Sequence, residues 1–217
     1  MISVVTVNVG TPKLLAEVQR EHVYSAIAKR PVSPGSTLWL SLGNLAGDAQ
    51  ADLSVHGGPD KAVYTYSSEH LESWARELDT ELGPAAFGEN VSTRGVLESD
   101  VNIGDIWQWD DATLQVCQPR WPCFKLALHR GRADIQNRLR ATGRTGWYLR
   151  VLEPGEVTVG SDIEVIVRDP AGLSVADAHD AMNDRHLEQR ARVEALANHP
   201  YLASEWREPL RQRLGLA

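Results

Sequence analysis

Two cysteines, Cys117 and Cys123, share the segment Cys117-Gln-Pro-Arg-Trp-Pro-Cys123-Phe-Lys125. Two cysteines cannot build a disulfide framework, so a ligand, a catalytic thiol or buried core positions are the readings open to them. Pro119 ends pairing of the strand read at 112–117, and Pro122 precedes Cys123, so proline stiffens the loop on both sides. Arg120 and Lys125 are near in sequence, and cations beside a thiol favour the thiolate, which is both nucleophile and soft-metal ligand. The same residues also suit a buried cysteine at a strand end. Cys117 lies within the strand and fits core packing, which leaves Cys123 as the candidate for chemistry. Structural zinc would need further ligands beside this pair, and the histidines are scattered.

Three other segments collect polar groups around glycines. In Asp52-Leu-Ser-Val-His56-Gly57-Gly58-Pro59-Asp60-Lys61 a flexible Gly-Gly pair is surrounded by His56, Asp60 and Lys61. This suits a pocket wall where a ligand approaches backbone, or simply a tight hairpin loop. Phe87-Gly88-Glu89-Asn90 sets acceptors and a donor beside one glycine, in a site or in an ordinary turn. Thr142-Gly143-Arg144-Thr145-Gly146 puts an arginine between glycines, which suits a phosphate as well as a plain helix-to-strand turn. No GxGxxG, GxxxxGK[ST] or GxSxG pattern occurs, so nucleotide-loop and serine-hydrolase readings lack their signatures.

The elements that must position these residues are mostly strands. Runs at 2–9, 37–42, 62–66, 104–109, 112–117, 146–152 and 162–168 have strand composition and are commonly separated by turn residues. A helix is predicted over 67–79, with Leu71, Trp74, Ala75 and Leu78 on one face, Ser67 or Ser68 as cap and Gly83-Pro84 as block. A second is predicted over 131–141, stopped by Gly143. The pattern is mainly β with helical insertions, a barrel or strongly bent sheet rather than alternating β-α-β units. The character changes at Asp169-Pro170-Ala171-Gly172. The chain therefore divides into a β domain over 1–168 and a small module over 169–217. In that module three short helices fit: one capped by Ser174, one over 184–197, and one carrying Leu202, Trp206, Leu210 and Leu214. So small a tail must pack on the barrel or on a second chain, and a homodimer is one way to do so.

Bulk properties set limits. With 42% apolar and 24% charged residues the chain should fold around a core, and its net charge of -7 disfavours nonspecific binding to duplex nucleic acid. The start Met-Ile-Ser-Val-Val lacks a basic n-region, and no apolar run reaches membrane-spanning length. A soluble, cytoplasmic protein is expected.

Taken in order, these segments resemble the MOSC family and, within it, its YiiM-like branch. The resemblance runs through Ile27-Ala-Lys29-Arg-Pro31, Gly47-Asp48, Val55-His-Gly-Gly-Pro-Asp-Lys61, Phe87-Gly-Glu-Asn90, Gln118-Pro-Arg-Trp-Pro-Cys123-Phe-Lys125 and Gly143-Arg-Thr-Gly-Trp-Tyr148, and covers about residues 1–168. The tail is similar to the three-helix module that follows the MOSC domain in this branch. The resemblance implies a MOSC-type β-barrel that binds the molybdenum cofactor (molybdopterin), with Cys123 as protein ligand to the metal. It implies reduction of N-hydroxylated compounds, such as hydroxylaminopurine-type bases, to amines. Arg120, Lys125 and Arg144 become candidates for cofactor anion contacts, joined by Lys29, Lys61 and Asn90. His56, Asp60 and Glu89 become candidates for proton handling or pocket hydrogen bonds. The chain has no four-cysteine cluster pattern and no flavin or nicotinamide fingerprint, so an external reductase, itself a flavoprotein, is the expected electron donor. A sulfur carrier with Cys123 as persulfide acceptor is the alternative from another class, and a noncatalytic binding barrel a third. Pyridoxal phosphate is a minor further reading, since lysines line the motifs.

Overall fold

The computed structural model describes residues 1–52 and 57–216. Its main element is an eight-stranded curled sheet. In the order of pairing, its strands are β12 (Glu164–Val167), β8 (Ile106–Trp109), β9 (Ala112–Pro119), β10 (Trp147–Glu153), β6 (Val63–Ser67), β7 (Val91–Arg94), β1 (Ser3–Val9) and β4 (Arg30–Pro31). Ile2, just before β1, reaches back across the curl to Ile163, just before β12, through reciprocal backbone hydrogen bonds of 2.8 Å. β6 is buried on both faces, its polar Thr65 and Ser67 included. It pairs in parallel with β7, and the crossover between them is helix α1 (Glu69–Leu78). One β-α-β unit is therefore set into a sheet whose other pairings are antiparallel. Two further pairs stand apart: β5 (Thr37–Leu40) with β11 (Gly155–Thr158), and the hairpin of β2 (Lys13–Val18) with β3 (Glu21–Ser25).

The helices follow the expected sequence order with shifted limits. α2 (Phe124–Arg130) begins directly after Cys123 and is closed by Gly131, a left-handed cap, so α3 (Ile135–Thr142) starts later than the spacing predicts. Gly143 closes α3 as expected, with φ 69°. α4 (Val175–Asn183) has the capping box promised by Ser174: its hydroxyl accepts from Asp177 N, and the Asp177 carboxylate accepts from Ser174 N. α5 is only Arg190–Ala197, not 184–197. The Asp184 carboxylate accepts the backbone N–H groups of Glu188 and Gln189, and Leu187 takes a positive φ, which holds that stretch in a loop. α6 (Ser204–Leu214) contains Pro209.

One large core joins barrel and tail. Trp107, Trp147 and Leu149 of the sheet share it with Ala178, Val193, Leu196, Trp206 and Leu210 of α4, α5 and α6. The three helices thus bury their apolar faces on the barrel. Arg213 of α6 donates to the carbonyls of Ala181, Met182 and Asp184 at the end of α4. A second cluster, with Tyr66, Trp74, Phe87, Leu126 and Leu139, packs α1, α2 and α3 on the opposite side. No helix among the described residues is long and apolar enough to cross a membrane.

Candidate functional site

The site forms where β9 leaves the sheet. Arg120 N donates to the Gly146 carbonyl at 3.0 Å, extending the β9–β10 ladder to the last residue before the loop. Gly146 sits at φ 69°, and a Cβ there would collide with the Thr65 carbonyl, so only glycine admits this approach. The loop is then clamped from two sides. The Pro122 carbonyl accepts from Arg140 Nη2 at 2.9 Å and from Gln136 Nε2 at 3.3 Å, both from α3. The Trp121 ring lies under the Arg140 guanidinium at 4.7 Å and meets Trp206 of α6 edge-on at 5.6 Å. Cys123 follows, half-buried and extended, with φ -107° and ψ 168°.

Cys123 opens on a cavity of about 620 Å³, counted out to its mouth. Lys29, Lys61, Arg120 and Lys125 line it, and Asp48 is the carboxylate among the lining residues. Two of these cations are already engaged. Lys29 Nζ donates to Asp48 Oδ1 at 2.5 Å, and Lys61 forms an ion pair with Glu205 of α6. Burial lowers the proton affinity of Lys29 even though Asp48 opposes it. Arg120 and Lys125 have no carboxylate within ion-pair distance among the described residues. Arg120 is 6% exposed, with its guanidinium over the Tyr64 ring at 4.8 Å and Nη1 3.4 Å from the Tyr64 hydroxyl. Burial works against its charge, but the oxygens of Tyr64 and Tyr148 and the sulfur of Cys123 outweigh that effect and raise its pKa. A buried guanidinium facing a cavity has the charge and donors that an anion requires. Tyr148, from β10, completes the wall. Burial pushes its phenol up to about 12, so the hydroxyl keeps its proton.

The remaining predicted residues fall in three groups. Asn90 lines the cavity, but its amide is committed: Oδ1 accepts from Tyr64 N, and Nδ2 donates to Asp48 Oδ2 at 2.9 Å and to the Asn8 carbonyl. It braces the wall and has no N–H left to offer a ligand. Asp60 turns to Arg150, Oδ1 to Nε 2.8 Å, and is not among the lining residues. Arg144 is placed apart from the other predicted cations. Its guanidinium lies over Trp74 at 4.1 Å and bonds Glu77, both on α1, outside the cavity. His56 lies outside the described residues. Cys117 is fully buried, its Sγ 3.2 Å from the Asp60 carbonyl and 3.4 Å from that of Tyr148, and burial pushes its thiol up to about 12. That thiol is inert, which separates it from Cys123. Asp48 and Glu205 are the charged groups that sequence reasoning did not assign to the site. Asp48 stood in a matched motif, whereas Glu205 carried no signal.

Glu89 is behind the wall, fully buried. Its carboxylate accepts from Phe87 N at 3.0 Å and from the Ser92 hydroxyl at 3.1 Å. Burial raises its pKa above the ordinary 4.5, against the pull of those hydrogen bonds and of Arg120. A raised folded pKa means that the native state binds the extra proton. The stabilising contribution is thus present below the unfolded value and lost as pH rises through the folded one. Glu89→Gln is therefore expected to stabilise the protein by about 1 kcal/mol at pH 8, with the difference vanishing near pH 4. Melting curves of both proteins across that range check it; a gap of the same size at pH 4 would contradict it.

A curled β structure that presents one half-buried thiol and excess cations to a common cavity belongs to the class of cofactor- or anion-binding barrels. The comparisons define it further: the MOSC domain family matches residues 52–164, and the chain belongs to that family. YiiM of Escherichia coli (strain K12) is 47% identical over 165 residues, 75% of this chain and 72% of that protein. The crystal structure of YiiM from Geobacillus stearothermophilus superposes with a TM-score of 0.82 at 32% identity, over 100% of both chains. A protein of Gibberella moniliformis named "Reductase" is 34% identical over 170 residues, and this chain spans 30% of its length. The family is associated with the molybdenum cofactor, and the residues here fit such a group: a thiol for a soft metal and, for an anion, two cations without carboxylate partners among the described residues. The pyridoxal phosphate reading gains no support, since Lys29 and Lys61 are each held by a carboxylate.

Proposed function

We propose that this protein holds the molybdenum cofactor in the cavity, with Cys123 as the protein ligand to the metal, and reduces N-hydroxylated compounds to amines. The observation that carries the reading is the meeting of Cys123 with Arg120 and Lys125 in one cavity, the two cations having no carboxylate partner among the described residues. Membership in the MOSC family and the reductase name of one relative support it.

Bound there, the cofactor would supply the two-electron exchange and accept the oxygen, chemistry that no side chain can perform. The chain's own residues do the rest. Arg120 and Lys125 hold the anionic part of the cofactor. Clamping of the Trp121-Pro122 loop by α3 fixes the direction of the Cys123 sulfur. Tyr148 offers a protonated hydroxyl to hydrogen-bond the departing oxygen. Reduction of R–NHOH to R–NH2 and water consumes two electrons and two protons, and the electrons come from a separate reductase, a flavoprotein in this reading. Protein made in a host that synthesises the cofactor should carry molybdenum and pterin near one each per chain by metal analysis and pterin fluorescence. A persulfide on Cys123 without pterin would replace this reading with that of a sulfur carrier.

A further inference from the structure

The cavity is walled by the barrel, yet a charge at its edge comes from the C-terminal helices. Glu205, in the first turn of α6, forms an ion pair with Lys61, whose side chain is 12% exposed while that of Glu205 is 50% exposed. Glu205 is also close enough to Tyr148 to act on its phenol. Two residues of the cavity wall thus feel a carboxylate delivered by α6.

This end of α6 is anchored by Trp206, 1% exposed and edge-on to Trp121, and by two further backbone contacts. Ala203 N donates to the Cys117 carbonyl at 3.0 Å, and Arg150 Nη2 to the Tyr201 carbonyl at 3.1 Å. Within the helix, Pro209 lacks the N–H that would bond the Glu205 carbonyl. The first turn is therefore short of one helical bond and leans more on its outside contacts. Lys61, by contrast, is the last residue of a short 3-10 turn at Pro59–Lys61, just before β6.

We infer that Glu205 is a resident counter-anion for Lys61, which the phosphate of the bound cofactor displaces, so that filling of the cavity is coupled to the first turn of α6. This rests on the reading of the cavity as an anion site. The carboxylate and the incoming anion compete for one ammonium group, and Glu205 in addition repels an anion at the mouth. An empty cavity keeps Glu205 paired with Lys61. A filled one frees Glu205 to solvent, from which its half-exposed side chain is not far removed.

The test uses the full chain, free of cofactor, titrated with inorganic pyrophosphate by calorimetry. Glu205→Gln should bind roughly five- to tenfold more tightly than wild type, as expected for removal of a partly buried competing charge. In wild type, saturating pyrophosphate should raise amide hydrogen exchange in the first turn of α6. Lys125→Met should weaken pyrophosphate binding in either background. Equal affinity of wild type and Glu205→Gln, with Lys125→Met still weakened, would overturn the inference and leave the anion cavity standing. Failure of both proteins to bind would overturn the anion cavity together with the inference. Unchanged exchange in α6 on binding would show that the helix does not respond, and would likewise overturn the coupling.

Discussion

Cys123→Ser, made in a host that supplies the cofactor, is expected to lose its molybdenum while melting within about 2 °C of wild type. The side chain is half-buried, at the head of α2, and the loop before it is held by Arg140, Gln136 and the Trp121 contacts. Loss of a mere outer-shell partner costs a metal site roughly 10–100-fold in affinity, so loss of the ligand itself should exceed that. Reductase activity should vanish with the metal. Cys117→Ala reverses the pattern. It removes a fully buried sulfur and its two weak carbonyl contacts, so it should cost about 1 kcal/mol of stability and leave the molybdenum content unchanged. Metal analysis beside thermal melts separates the two cysteines. Full molybdenum occupancy in Cys123→Ser would sink the assignment of the ligand.

The strands that the sequence announces are those whose packing dictates their composition. β6 is buried on both faces and is rich in β-branched and aromatic residues, and α1 shows its buried Trp74 and Leu78 at helical spacing. The β2–β3 hairpin is silent because no residue of it is buried, so no apolar period is imposed. Its turn, Gln19-Arg20, takes positive φ without glycine or asparagine, which removes the other signal. The site divides on the same principle. Arg120, Cys123 and Lys125 are legible because one short loop delivers them together. The surroundings of Arg144 are not legible, because nothing near it in sequence reveals that α1 places Trp74 and Glu77 on its side. The same holds for Asp60, whose partner Arg150 comes from β10. Glu205 reaches Lys61 only because α6 docks on the barrel, and no local pattern encodes that meeting.

Asp48→Ala is expected to be among the most destabilising single changes in this wall, by about 3–5 kcal/mol, or on the order of 10 °C in melting temperature. Asp48 is buried and serves three donors: Lys29 Nζ, Gly10 N at 2.8 Å and Asn90 Nδ2 at 2.9 Å. Its removal leaves an ammonium ion in a low-dielectric wall and frees the amide that braces β6 against β1. The proton affinity of Lys29 is already lowered by burial while Asp48 is present, and without Asp48 it must fall further. A lowered folded pKa means that the unfolded chain binds more protons, so stability rises with pH through that window. The deficit of Asp48→Ala should accordingly narrow as pH climbs from neutrality toward the ordinary lysine value of 10.5. The charge account makes a sharper claim. Replacing both members of a buried pair by apolar groups is far milder than breaking it, so adding Lys29→Met to Asp48→Ala should restore more than about half of the lost stability. What stays lost measures the stranded Gly10 and Asn90 donors. A double variant no more stable than Asp48→Ala alone would mean that these donors, and not the Lys29 charge, are what Asp48 holds in place.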